Sequence, residues 1–246
     1  MTAPLPSDDL EWSPVAVLPG IHMQGALGNE FVQLVGCNHD FILNLRHQFP
    51  KLDSFCHRFS DAFGEALEPS FVVMHRNFRH RHTDGQALLG FRNAVSLSVT
   101  LMSSATNLSH GGGFGSYRFS DSADFYPWML GHDMVSLISS NASRLSFHDV
   151  DAFHGQPAPQ VPQATLNADT GDAFLRDALL SCWSEAFVKR RRRKRNRSLF
   201  RSLEIAFEAS RLPAAYFTSQ FDVGRSVGLW ISAHETCLNT GNAHVG

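Results

Sequence analysis

The chain has 246 residues, of which 43% are hydrophobic and 18% charged, and a formal net charge of −2. This composition excludes a disordered or fibrous polymer and fits one large domain or two small ones. No run of about 18 apolar residues occurs, which argues against a membrane span.

The chain opens with a polar, proline-containing lead, followed by apolar pieces at 15–18, 31–35 and 41–45 that read as short strands between Gly, Asn and His punctuation. After Pro50 and Asp53, the spacing of Phe55, Phe59, Ala62, Phe63 and Ala66 predicts a helix that Pro69 stops. FVVM at 71–74 reads as a buried strand. Asp84 is placed to cap a helix over 85–102, with Leu88, Leu89, Phe91, Val95, Val99 and Met102 on its apolar face. SYRFS at 116–120 and MVSLIS at 134–139 resemble strands. Prolines 157, 159 and 162 then remove backbone donors and hold their neighbours extended, which marks a boundary.

Beyond that boundary the pattern is helical. Over 172–188 the stripe is Leu175, Ala178, Leu179, Cys182, Trp183 and Ala186; over 198–212 it is Leu199, Leu203, Ala206 and Phe207. Over 221–238, Val223, Val227, Trp230, Ile231, His234 and Leu238 are expected to face inward. The fold class read from these signals is α+β. A mixed domain spans 1–155, a Pro-rich linker 156–171, and a helical segment 172–246.

The charge is unevenly spread. Residues 189–197 read KRRRRKRNR and hold eight cations (Lys189, Arg190, Arg191, Arg192, Arg193, Lys194, Arg195 and Arg197), leaving 13 basic against 23 acidic residues elsewhere, a net −10. Unpaired charge is too costly to bury, so this run is either solvated or set against an anion. Such a run meets RNA or DNA phosphates with little sequence preference. It serves equally as a solvated junction between two helices, neutralised by the acidic remainder.

Two patterns imitate an esterase. HGGG at 110–113 matches an oxyanion-hole element, and GRSVG at 224–228 matches the nucleophile elbow around Ser226. The elbow needs a sharp strand-to-helix turn, whereas 222–238 carries an unbroken helical period, and no Asp follows Ser226. A helical, non-nucleophilic Ser226 is expected, and no catalytic residue is assigned. Thirteen histidines include His75, His80 and His82 in HRNFRHRH. Arg76, Arg79 and Arg81 among them would repel a cation, so a polar loop is favoured and neither a metal site nor a cofactor is read. Cys37, Cys56, Cys182 and Cys237 form no CxxC pair, and the start MTAPLPSDDLEW lacks a signal pattern. A reducing, cytoplasmic setting is the expectation.

SLFRSLEIAFEASRLP (198–213) followed by FDVGRSVGLWISAHE (221–235), with FYPW at 125–128, resembles the helical region of bacterial proteins that carry HEPN-type, Apea-like modules. The resemblance covers about residues 170–240. It implies a helical bundle, commonly a homodimer, in an RNA-associated or defence-related protein. Active HEPN nucleases carry Arg-x(4–6)-His near the start of a late helix. Here His234 stands nine positions after Arg225, and the pair Arg76 and His82 lies after a strand. The resemblance therefore implies a shortened member without nuclease chemistry, in which Arg225 and Glu235 match the family's Arg and Glu positions. The alternative is a non-enzymatic interaction or oligomerisation protein. Salt-dependent nucleic-acid binding separates the two, and the most informative single observation is whether the last helix packs within the chain or presents an open apolar face.

Overall fold

The computed structural model describes residues 11–61, 63–79, 85–109, 119–131, 133–141, 144–149, 163–188, 194–211 and 219–238. In chain order the elements are β1 (Trp12–Leu18), β2 (Ile21–Gln24), β3 (Ala26–Gly28), β4 (Val32–Gly36), α1 (Asp40–Gln48), α2 (Pro50–Cys56), β5 (Ser70–His75), α3 (Arg76–Arg79) and α4 (Gly85–Ser109). There follow α5 (Phe119–Ser122), β6 (Met129–Leu130), β7 (Ser136–Asn141), β8 (Arg144–Asp149), β9 (Ala164–Asn167), α6 (Ala173–Trp183) with a π-helical turn (Ser184–Val188), α7 (Lys194–Ser210) and α8 (Gln220–Leu238). The fold is mixed α+β, and the chain divides into two units: Met1–Thr83 with Ser122–Asp169, and Asp84–Asp121 with Thr170–Gly246.

The first unit is built on an antiparallel sheet ordered β1-β5-β4-β3. β5 (SFVVMH) is buried on both faces, as a continuous apolar run in a central strand should be. β1 contains Pro14, which has no N–H to give a ladder; it lies on the edge strand, and the register shifts between Pro14 and Ala16. One face of this sheet presents Val17, Val35, Phe71 and Val73 to a core shared with Ile42, Leu45, Leu52 and Phe55. Phe55, Phe59 and Tyr126 stack edge to face at 5.2–5.6 Å between centroids. Gly36 lets β4 pass the Met23 carbonyl, since a Cβ there would come within 2.1 Å of that oxygen. Buried Ser70 ties β2 down: its Oγ donates to the Ile21 carbonyl at 2.7 Å and accepts from the Met23 N–H at 2.8 Å.

Three expectations for this unit fail for identifiable reasons. The segment 41–45 is not a strand but the body of α1: His39 caps it, its Nδ1 accepting from the Phe41 N–H, and Asp40 and Arg46 sit at the ends where the helix dipole favours them. The helix expected through Ala66 stops at Cys56. A turn replaces it, in which Asp61 Oδ1 accepts from the N–H groups of Phe63 and Glu65 at 2.8 and 2.9 Å and Gly64 takes φ +86°. Phe63 is left 92% exposed. Part of the expected linker is a strand: β9 pairs in parallel with β2, and Gln163 Nε2 donates to the Pro19 and Glu68 carbonyls at 2.9 and 2.8 Å.

The second unit is helical. α4 is buried on every side over 91–100, which marks a central helix, and it packs with α6 and α7. The sequence placed α4 with the mixed region. Its companions are instead the C-terminal helices, whose aromatic stripes it covers. Trp183 is fully buried, and its Nε1 donates to the Ala87 carbonyl at 2.8 Å. Rings continue from Trp183 to Phe187 at 5.7 Å and to Phe200 at 5.2 Å. Asp172 caps α6 by accepting from the Leu175 N–H at 2.9 Å. Asn196 Nδ2 donates to Glu185 at 3.1 Å, joining the start of α7 to the π-helical turn. Residues 119–120, expected in a strand, lie in α5; Asp84 and 116–118 fall outside the described residues.

Candidate functional site

α7 and α8 form the pair that carries the predicted functional residues. A capping box starts α8: Ser219 Oγ accepts from the Asp222 N–H at 3.2 Å, and Asp222 Oδ2 accepts from the Ser219 N–H at 2.9 Å. The Ser219 hydroxyl, and then its N–H, hold the Asp222 carboxyl below its ordinary range. The glycines of GRSVG do not interrupt the helix, and Ser226 lies within it, its Oγ donating to the Ala209 carbonyl at 2.7 Å. A serine occupied in this way has no strand-to-helix elbow to project it. Residues 110–113 lie outside the described residues.

The side of α8 that meets α7 is small and polar. Ala233 is its buried residue; Ser226 and Leu229 are part-buried, and the Ala233 carbonyl accepts from buried Ser202 Oγ at 2.6 Å. Ala233 joins Leu97 and Ala206 in a compact cluster bordered by Leu203 and Trp230. The predicted inward stripe lies largely elsewhere. Val223 is 56% exposed, Val227 54%, Ile231 54% and Leu238 80%, and Phe221 at the helix start is 83% exposed. His234 is exposed too, and Trp230 is only half-buried. This corrects the expectation of an inward apolar stripe: the period was right, but close packing on α7 selected the small face carrying Ser226 and Ala233. Gly224 and Gly228 lie in the open, with nothing within 4 Å of an added Cβ.

Arg225 and Glu235 are both exposed on α8. Of the basic run, Lys189, Arg190, Arg191, Arg192 and Arg193 fall outside the described residues. Lys194 and Arg195 open α7, Asn196 is buried, and Arg197 is exposed. Arg201 stands exposed one turn after Arg197, a cation the sequence pattern did not single out because it lies beyond the run. In the first unit, His75 lies 3.4 Å from Glu11 and packs edge to face on Trp12. His80 and His82 fall outside the described residues, and among those described no group of three His, Cys, Asp or Glu side chains is placed to hold a metal. No helix among the described residues is long and apolar enough to cross a membrane. Comparison of the chain with family models, with curated proteins and with solved structures returns no match.

Proposed function

We propose that this chain is a non-enzymatic interaction protein that self-associates through the outward face of α8. The observation carrying the proposal is the inverted amphipathicity of α8, whose small, partly polar side packs on α7 while Val227, Ile231 and Leu238 face out. A contiguous apolar helical face of this kind marks an interaction surface.

A second copy of the chain suits this face because two copies of one apolar stripe bury each other about a two-fold axis. Two copies of α8 crossing antiparallel about a two-fold axis near Ile231 set Val223 of one copy against Leu238 of the other, twice. Gly224 and Gly228 let the backbones approach closely. Sedimentation velocity tests the proposal: the wild-type chain is expected to dimerise at micromolar concentration, and Ile231→Asp to be monomeric with unchanged circular dichroism. A wild-type monomer at about 100 μM would refute it, since association would then be weaker than about −5.5 kcal/mol.

The RNA-associated, defence-related function implied by the HEPN-like resemblance is the second proposal. Arg197 and Arg201, exposed on successive turns of α7, extend the cationic run 189–197 and favour phosphate contact.

A further inference from the structure

Within the helical unit a cleft of about 440 Å³ is walled by α4, the π-helical turn and α7. Leu89 and Asn93 come from α4, Phe187 from the π-helical turn, and Arg197, Phe200 and Arg201 from α7. The Phe187 and Phe200 rings meet edge to face at 5.2 Å and rest on Gly90, where a Cβ would fall 2.9 Å from Phe200 Cδ1 and 3.1 Å from Phe187 Cε2. The bare helix backbone at Gly90 makes room for them.

Asn93 is fully buried, and its Oδ1 accepts from Arg92 Nε and Nη2 at 3.0 and 2.9 Å. Its Nδ2 has no hydrogen-bond partner among the described residues. A buried donor left unpaired is costly and uncommon, and an acceptor oxygen brought by a ligand would satisfy it. The charged groups lining the cleft are two guanidiniums, Arg197 and Arg201, against one carboxylate, Glu204, so the balance favours an anion. The volume exceeds what a bare oxyanion fills and lies within the range of small-molecule sites, about 300–1,000 Å³.

We infer that this cleft binds a small organic oxyanion built on a flat apolar ring. The anionic head lies on Arg197 and Arg201, which present planar donor forks suited to carboxylate and phosphate oxygens. The ring lies against Leu89, Phe187 and Phe200, with an acceptor turned to Asn93 Nδ2. This site is independent of the outward face of α8.

Calorimetry on the full chain with phenyl phosphate, benzoate and inorganic phosphate tests it. At least one aryl anion is expected to bind one-to-one, about tenfold more tightly than inorganic phosphate, and the comparison of the two aryl anions identifies the head group. The double variant Arg197→Gln, Arg201→Gln is expected to weaken binding at least about tenfold, the size of one lost charge-assisted hydrogen bond. Leu89→Trp fills the cleft and should abolish binding. Asn93→Asp keeps an acceptor for Arg92 but replaces the free donor with a carboxylate oxygen, and should also weaken it. Binding of neither aryl anion, or affinity unchanged in the double arginine variant, would overturn the inference. The exposed arginine pair decides the matter if Leu89→Trp or Asn93→Asp fails to fold.

Discussion

The outward stripe of α8 makes a quantitative claim about apolar burial. Val223, Val227, Ile231 and Leu238 recur on one side of the helix, and each is more than half exposed in the single chain. Fully burying such a side chain is worth about 1.5–3 kcal/mol, and covering the exposed half of Ile231 is worth about half of that in each copy. Ile231→Ala should therefore weaken dimerisation by about 1.5–3 kcal/mol over the two copies, or roughly 10- to 150-fold in Kd. Leu238→Ala, more exposed still, should cost at least as much. Arg225 stands about 120–160° round the helix from the stripe at 100° per residue, so Arg225→Glu is the control and should leave Kd within about twofold. Sedimentation velocity over a concentration series reads Kd, and circular dichroism reports the fold. The effect should persist at about 0.5 M salt, because apolar burial is not screened as a charge pair is. If both alanine variants keep the wild-type Kd, or if Arg225→Glu alone abolishes association, the stripe is not the interface.

Replacing Arg190, Arg191, Arg192 and Arg193 by Gln should flatten the salt dependence of RNA or DNA binding. Contact with four phosphates gives a wild-type log–log slope of about −3 to −4, and titration at two salt concentrations reads it; equal slopes for both proteins would remove the cationic run from the interface. The thiols provide a pH test. Burial, then the nearby Glu68 carboxylate, push Cys37 up to about 11, and burial pushes Cys56 up to about 12, both above the ordinary 9.0. Folding thus favours the protonated thiols. Their contribution to stability is fully present below about pH 9 and is lost as pH rises through the folded values, so the urea midpoint should fall over that window, and less so in Cys37→Ala and Cys56→Ala. At pH 8 a thiol reagent should label exposed Cys237 promptly and reach Cys37 and Cys56 only on unfolding. Equal native-state rates at Cys56 and Cys237 would contradict the packing.

What the sequence revealed depended on how local the deciding force was. FVVM declared β5 because a central strand buries both faces, and the three C-terminal helices were legible because an apolar period survives burial. The segment 41–45 misled because its apolar run is short; His39, which accepts from the Phe41 N–H, tipped it to a helix. The Phe55-to-Ala66 period failed at Asp61 and Gly64, two turn residues that outweighed it. β9 was unreadable, because Ala164–Asn167 becomes a strand only by pairing with β2, more than a hundred residues earlier. For α8 the period was visible but its direction was not, since nothing in one helix says which stripe its neighbour will take. The cleft lined by Asn93 and Arg201 left no trace in the sequence for the same reason: three separate segments assemble it.

The interleaving of the two units has a consequence for how the chain is made. The first unit needs β9, which leaves the ribosome only after α4 and α5 have been synthesised; the second opens with those helices and waits for α6 to α8. No early length of nascent chain therefore contains a finished unit. α4, whose 91–100 stretch is buried on every side in the finished unit, must persist without its eventual companions while about 60 further residues are added before α6 begins. Pairing β2 with β9 also closes a loop of more than a hundred residues, a non-local contact of the kind that slows folding. Such a chain spends its vulnerable interval with a core helix uncovered, and its yield in the cell should depend on holdase chaperones more than its size alone would require.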